Sequence, residues 1–379
     1  MTDVESVSSL DNTKRDSLNV IVKTTEACVL DCVYCYEGRK SGKIMSLETL
    51  EAMITKLESR NPGNTSTDYT WHGAEPLMAG LDFFRAAREL QGHFERKGNR
   101  IDNGLQTSGV LLDEEFADFF AQENIRVGFS LDGPRQYHDM QRPYLDGSSS
   151  FDHVMRGIQL MRERGQNNGV IVVLTQWNLP HLNEIYEFFK KEGIPFKINP
   201  VIRCGNADNR YDTIGLKPGQ YARALINIFE MAYRDDAGVF DPAEKLIASL
   251  FTREDSTCSS LPSCQESFIG VDTEGYVVPC SRFTRDQVCY GNIKEEDLSD
   301  ILNHPMRLKL QERNKGIKSC NERCEINELC YSGCMHNAFI SGDISGKDPL
   351  CADTLIVSRY VQNRVMAQLK ADGAIIGGT

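Results

Sequence analysis

The run Cys28-Val29-Leu30-Asp31-Cys32-Val33-Tyr34-Cys35-Tyr36 decides how the rest of this chain is read. Its cysteines are spaced C-x3-C-x2-C, and it lies just past an apolar alternating stretch, Leu18 to Val22. Three thiolates on one short loop can hold three irons of a cubane cluster, which normally takes four. The missing fourth ligand leaves one iron open. By analogy with zinc, an open position marks a reactive site rather than a structural one. Taken alone, the triplet also allows a zinc site lacking one ligand, because C-x2-C by itself is a weak signal.

Working outward, residues 18 to 234 alternate strand and helix patterns. Apolar strand candidates are Leu18–Val22, Tyr69–Trp71, Gly104–Gln106, Ile125–Phe129, Val170–Leu174 and Phe196–Ile198. Helical patterns fall between and after them, over 47–57, 81–94, 113–123, 151–164, 180–192 and 218–234. In the first of these, Leu47, Leu50, Met53, Ile54 and Leu57 share one face, with Ser46 as N-cap. Six strand–helix units with short connections imply a parallel α/β sheet, and six are too few for an eight-stranded barrel. The polar motifs sit where strands end: the cysteine loop, His72-Gly73-Ala74-Glu75-Pro76, Thr107-Ser108-Gly109, Ser130-Leu131-Asp132-Gly133 and Asn199-Pro200. Ligands bind at the carboxyl ends of strands in parallel α/β folds, so one pocket can be built from all five segments.

From about Ala243 the pattern changes. Ser267–Val271 and Tyr276–Val278, joined by Asp272-Thr273-Glu274-Gly275, read as a β-hairpin. A last amphipathic helix spans 353–370. The expected organisation is a flexible segment 1–17, an α/β domain over 18–242 and a cysteine-rich domain over 243–379. Nine of the thirteen cysteines lie between Cys258 and Cys351. Without Cys289 they form the pattern Cys258-x5-Cys264, Cys280, Cys320-x3-Cys324-x5-Cys330-x3-Cys334-x16-Cys351. Eight thiolates suffice for two fully ligated [4Fe–4S] clusters, or for two four-thiolate zinc sites.

Composition narrows the function classes. Hydrophobic content of 40% and charged content of 25% describe an ordinary globular chain. No run approaches the ~18 apolar residues of a membrane span, and the polar N-terminus lacks a signal core. A cytoplasmic protein with no membrane partner is expected. The net charge of −12 argues against a nucleic-acid interface. Thirteen cysteines in a chain that is neither small nor visibly secreted point to metal ligation rather than disulfides.

The triplet resembles the signature of the radical S-adenosylmethionine (SAM) family. That resemblance implies a partial (βα)6 barrel in which the amino and carboxylate groups of SAM chelate the open iron. Gly73-Ala74-Glu75-Pro76 is similar to the Gly-Gly-Glu-Pro motif that binds the SAM amino group, with Ala74 where glycine is usual. Ser130-Leu-Asp-Gly-Pro followed by Arg142 resembles the segment that binds the ribose through the serine and the SAM carboxylate through the arginine. Tyr34 would then lie along the adenine. Asp132 reads equally as a turn stabiliser.

The C-terminal cysteines resemble a SPASM domain. The resemblance assigns Cys258, Cys264, Cys280 and Cys334 to one auxiliary [4Fe–4S] cluster, and Cys320, Cys324, Cys330 and Cys351 to a second. It implies three clusters in all, SAM, and an electron donor such as flavodoxin or ferredoxin. It further implies a 5′-deoxyadenosyl radical that starts a two-electron oxidation of a ribosomally made peptide or protein side chain. A sugar or aminocyclitol dehydrogenase and an anaerobic sulfatase maturase are the alternatives. In sulfatase maturases an aspartate follows the cysteine corresponding to Cys280 and serves as base; here that neighbour is Ser281.

Overall fold

The structure, a computed structural model, describes residues 15–37, 41–167, 169–235, 238–240, 247–248, 261, 264–314, 317, 320 and 324–373. Six strands, β1 (Asp16–Thr25), β2 (Thr65–Gly73), β3 (Arg100–Thr107), β4 (Arg126–Ser130), β5 (Val170–Leu174) and β6 (Phe196–Pro200), lie parallel in sequence order. Helices α1 (Leu47–Glu58), α2 (Leu81–Glu95), α3 (Glu114–Gln122), α4 (Arg135–Gln141), α5 (Phe151–Glu163) and α6 (Leu182–Glu192) run between them. This is the α/β fold expected from the alternating patterns. The short helix α4 is an addition, packed behind the Ser130-Leu131-Asp132-Gly133 turn.

Each strand end is set by local chemistry. Ser46 Oγ accepts the Thr49 N–H at 3.1 Å and starts α1. Leu50, Met53, Ile54 and Leu57 are fully buried, as their spacing implies, but Leu47 is 59% exposed. It lies in the first turn, where the helix has not yet reached the sheet. Along β2 burial alternates strictly. Tyr69 and Trp71 face the helices, and Trp71 packs edge-on against Phe83 and Phe84 of α2. Burying side chains of that size contributes roughly 1.5–3 kcal/mol each. Thr70 and His72 point to the other face, away from the helices.

The second domain joins the same sheet. Strands β7 (Phe268–Val271), β8 (Tyr276–Val278) and β9 (Gly291–Asn292) continue it in the order β6-β5-β4-β3-β2-β1-β7-β8-β9. β7 and β8 are the expected hairpin. β7 also pairs in parallel with β1, Asn19 opposite Phe268 through Val22 opposite Val271, a junction that hairpin signals do not contain. Thus β1, which leads into the cysteine loop, is a central strand. The last helix, Cys351–Ala371, packs against Gln220–Asp235, where Asp353 caps the Ala222 N–H at 2.8 Å. Among the described residues no helix is long and apolar enough to cross a membrane.

Candidate active site and cluster fields

The cysteine loop leaves the carboxyl end of β1 and is held by its backbone. Asp31 and Val33 N–H donate to the Pro143 and Gln141 carbonyls at 2.9 and 3.0 Å. Leu145 N–H donates to Val29 O at 3.1 Å, and Asn206 N–H to Cys35 O at 2.8 Å. Gly205 takes φ +58°, and a side chain there would meet the Cys35 carbonyl at 2.4 Å. The loop therefore needs glycine beside it. Burial pushes the Cys32 thiol up to about 12, with Cys35 and Cys28 adding to it and Arg142 opposing. The three thiols thus sit within electrostatic reach of one another. The Leu30 N–H donates to Cys28 Sγ at 3.4 Å.

Above the loop a second group closes the pocket. Tyr34 donates to Asp132 Oδ2 at 2.6 Å and accepts from Arg142 Nη1 at 2.7 Å. The other Asp132 oxygen accepts the Val173 N–H at 2.9 Å. Arg142 is only 8% exposed, and its Nε has no partner. A buried guanidinium with one unused donor suits a carboxylate ligand. Ser130 Oγ accepts from Gln106 Nε2 at 3.2 Å on the same face of the sheet.

At the end of β2, Gly73 has φ +118°, and a Cβ would lie 2.5 Å from the Thr25 carbonyl. The strain of this turn falls on Gly73. Ala74 is not among the positive-φ residues, so alanine costs nothing there. Glu75 is fully buried and occupied from four sides. Oε1 accepts the Leu77 N–H at 3.2 Å and the Thr107 hydroxyl at 2.5 Å, and Oε2 accepts the Ser108 N–H at 3.0 Å and the Ser108 hydroxyl. Its carboxylate locks the β2 turn onto the β3 turn.

Polar residues without a sequence-based role fill the adjoining interior. Lys23 Nζ pairs with Glu37 Oε2 at 2.9 Å, both largely buried. Tyr36 Oη stands 3.3 Å from His72 Nδ1. Arg282 reaches in from the second domain, with Nη1 3.9 Å from Cys334 Sγ. The available signal was a polar residue at strand positions, Lys23 and His72, on the face that the helices leave free.

The second cysteine field separates into two groups among the described residues; Cys258 lies outside them. Cys330 is pushed up to about 12 by burial, with Cys351, Asp348, Cys324 and Cys320 adding to it. Cys351 is likewise raised by burial, then by Cys320 and Cys324 among its neighbours. Cys264 and Cys280 both lie near Tyr290. The buried Arg313 feels Cys334, Cys264 and Cys320, and so stands within reach of both groups. Its guanidinium donates to the Gly333, Ser332 and Gly346 carbonyls. Cys289 and Cys204 stay apart from this arrangement: Cys289 Sγ faces Gly291 O, while Cys204 lies beside Cys35. No three His, Cys, Asp or Glu side chains among the described residues converge tightly enough for a single metal ion. The donor set still fits iron–sulfur ligation: the thiols are buried or half-buried, and burial disfavours the bare thiolates of Cys32, Cys330 and Cys351, a cost that metal would relieve.

Comparison with known proteins meets this geometry. Residues 22–189 match the radical SAM superfamily, and residues 263–325 match the SPASM iron–sulfur cluster-binding domain. The chain carries a radical SAM domain followed by a SPASM domain. It is similar to a cysteine-type anaerobic sulfatase-maturating enzyme of Clostridium perfringens, 29% identical over 337 residues, 84% of this chain and 88% of that one. A serine-type anaerobic sulfatase-maturating enzyme of Bacteroides thetaiotaomicron is 28% identical over 349 residues, 85% of this chain and 83% of that one. The solved structure of native anSMEcpe with bound AdoMet is 25% identical, with a TM-score of 0.81 over 93% of this chain and 99% of that one. This radical SAM protein thus shares its α/β architecture and its SPASM extension with those relatives.

Proposed function

We propose that this radical SAM–SPASM protein oxidises, by two electrons, a side-chain carbon of a peptide or protein client. The carrying observation is its likeness to sulfatase-maturating enzymes along 84% of its length. The gathered thiols at both cysteine fields support the reading. When bound, SAM and the reduced site cluster supply a carbon-centred radical that removes a hydrogen atom from an unactivated carbon.

This chain's residues hold and orient those groups. Cys28, Cys32 and Cys35 would hold the site cluster and leave one iron open. Arg142, with its unused Nε, would take the SAM carboxylate, and Tyr34 would line the adenine. Ser130 would bind the ribose. Glu75 would act at one remove, fixing the turn whose Gly73 and Ala74 backbone receives the amino group. Cys258, Cys264, Cys280 and Cys334 would hold one auxiliary cluster; Cys320, Cys324, Cys330 and Cys351 would hold the other. Flavodoxin or ferredoxin would supply the electron.

Sulfatase maturation itself is a second reading, favoured by the relatives' names. Ser281 in the place of an aspartate favours another client, a ribosomally made peptide. The test is anaerobic incubation of the reconstituted protein with SAM and a reductant. Its substrates are peptides encoded beside the gene, and seryl and cysteinyl peptides copied from a sulfatase modification site. A mass change in a gene-neighbour peptide supports the first reading, and one only in the sulfatase peptides supports the second. Deuterium transfer into 5′-deoxyadenosine from a sugar or cyclitol alone sinks both.

A further inference from the structure

The two thiol groups of the second field differ in what surrounds their sulfurs. Side-chain nitrogens come close to the group of Cys264, Cys280 and Cys334. Arg282 Nη1 lies 3.9 Å from Cys334 Sγ, and Gln265 Nε2 donates to Cys264 Sγ at 3.7 Å. Around Cys320, Cys324, Cys330 and Cys351, no side-chain N–H of the described residues reaches a sulfur. The cations on that side stand in solvent, where they are screened: Lys347 is exposed, and the exposed Arg359 pairs with Glu325. Arg313 feels thiols of both groups and so does not separate them.

We propose that Arg282 sets the two groups apart, its guanidinium holding the iron–sulfur cluster that Cys334 would help bind at the higher reduction potential of the two. A cluster gains one negative charge on reduction. A cation and N–H donors beside its sulfurs therefore favour the reduced form. By this reading the Cys334 group is the stronger electron acceptor.

The guanidinium is held in place by a closed set of contacts. Nη1 also lies 3.4 Å from Asn337 Oδ1. The orientation of that amide is fixed, because Asn337 Nδ2 donates to both oxygens of Asp348, at 3.2 and 3.0 Å. Asp348 Oδ2 in turn accepts the Cys334 N–H at 2.8 Å, and Oδ1 accepts the Leu350 N–H at 2.8 Å. Asn337 and Asp348 are both buried. Cys334 is thus gripped at both ends, the sulfur facing a guanidinium and the backbone N–H facing a carboxylate. Phe283, next to Arg282, is fully buried against His336 and Phe339 on the helix that carries Asn337. The chain leaving Cys280 is thereby fastened to the chain leaving Cys334. Asp348 also stands beside Cys330, so its charge, like that of Arg313, is shared between the groups. Arg282 is the cation that belongs to one of them.

This inference rests on the reading that both groups hold iron–sulfur clusters, and its test reads the two separately. Full-length protein is reconstituted anaerobically with Cys28, Cys32 and Cys35 changed to alanine, so that only the second field takes iron. Iron and zinc are counted, and the reduced clusters are titrated against potential by electron paramagnetic resonance, with neither client nor SAM present. About eight irons and two separate midpoints are expected. Arg282→Gln should keep its iron and lower the higher midpoint alone, by at least a tenfold change in the reduction equilibrium, about 59 mV for one electron. Arg282→Lys, which keeps the charge, should restore most of that shift. Two unchanged midpoints in Arg282→Gln, or a shift of the lower one only, overturns the proposal and leaves the clusters standing. Loss of about four irons overturns it too, and makes Arg282 a residue needed to hold metal. Zinc in place of iron overturns the cluster reading and the proposal with it. A measurement without substitution of Arg282 guards against a variant that fails to fold. With arginine guanidinium groups carrying the heavy nitrogen isotope, the higher-potential cluster should show coupling to an arginine nitrogen, and absence of that coupling overturns the proposal.

Discussion

The two cysteine fields are built in opposite ways. Cys28, Cys32 and Cys35 occupy one short loop, shaped by main-chain bonds to residues 141–145 and 206. The described cysteines of the second field run from Cys264 to Cys351 and are organised by side chains. Arg313 gathers three carbonyls there, and Asp348 accepts the Cys334 N–H at 2.8 Å and the Leu350 N–H at 2.8 Å. The first field borrows its shape from the hydrogen-bonded backbone of the barrel. The second has little hydrogen-bonded ladder of its own, so metal should contribute to its folding as well as its chemistry.

The sharpest test of that contrast is to delete one field. A triple change of Cys28, Cys32 and Cys35 to alanine should abolish SAM cleavage and remove about four of about twelve irons. Circular dichroism should stay that of the folded protein, because the loop is pinned by backbone groups the change leaves in place. Loss of helical signal would break the comparison.

Chelating all the iron should act next most strongly, and unequally. Cleavage by a dilute protease should concentrate within 264–351, while the fluorescence of Trp71, buried under α2, stays native. Uniform digestion of both regions would mean that the barrel, too, depends on iron.

A smaller effect should follow from Gly205→Ala. Its left-handed backbone costs about 1–3 kcal/mol for a non-glycine residue, and its Cβ would strike the Cys35 and Tyr36 carbonyls at 2.4 and 2.6 Å. SAM cleavage should drop while iron in the second field is kept. Gly147→Ala is the control: it has φ +83° and nothing within 4 Å, so it should show the strain without the lost cleavage.

The smallest of these effects should come from Tyr34→Phe, which removes one hydrogen bond to Asp132 and one to Arg142. Bonds to charged groups contribute about 1.5–3 kcal/mol. SAM affinity, read by calorimetry, should weaken by roughly tenfold or more with all clusters present. Unchanged affinity would detach this pair from the SAM pocket.

The sequence disclosed the barrel well because β1, β2 and β5 carry a strongly apolar helix-facing side: Val20 and Val22, Tyr69 and Trp71, Val170, Val172 and Leu174. It disclosed the ligand residues by spacing. It could not disclose that β7 joins β1, because no local pattern names a parallel partner so distant in the chain. Nor could it show Glu75 filled by four internal donors. A carboxylate in a motif reads as a ligand until its surroundings are known. Lys23 and His72 were visible as letters, yet their meaning depends on which face of a strand the helices cover.

The pairing of Asn19 with Phe268 has a consequence in time. The two residues are 249 positions apart (268 − 19), and a ribosome adds about 5–20 residues per second. For roughly 12–50 seconds of synthesis, then, β1 presents a bare edge on one flank. Unpaired edges recruit other strands. The chain's most exposed moment falls before its second domain exists, and slow translation between β6 and β7 would lengthen it.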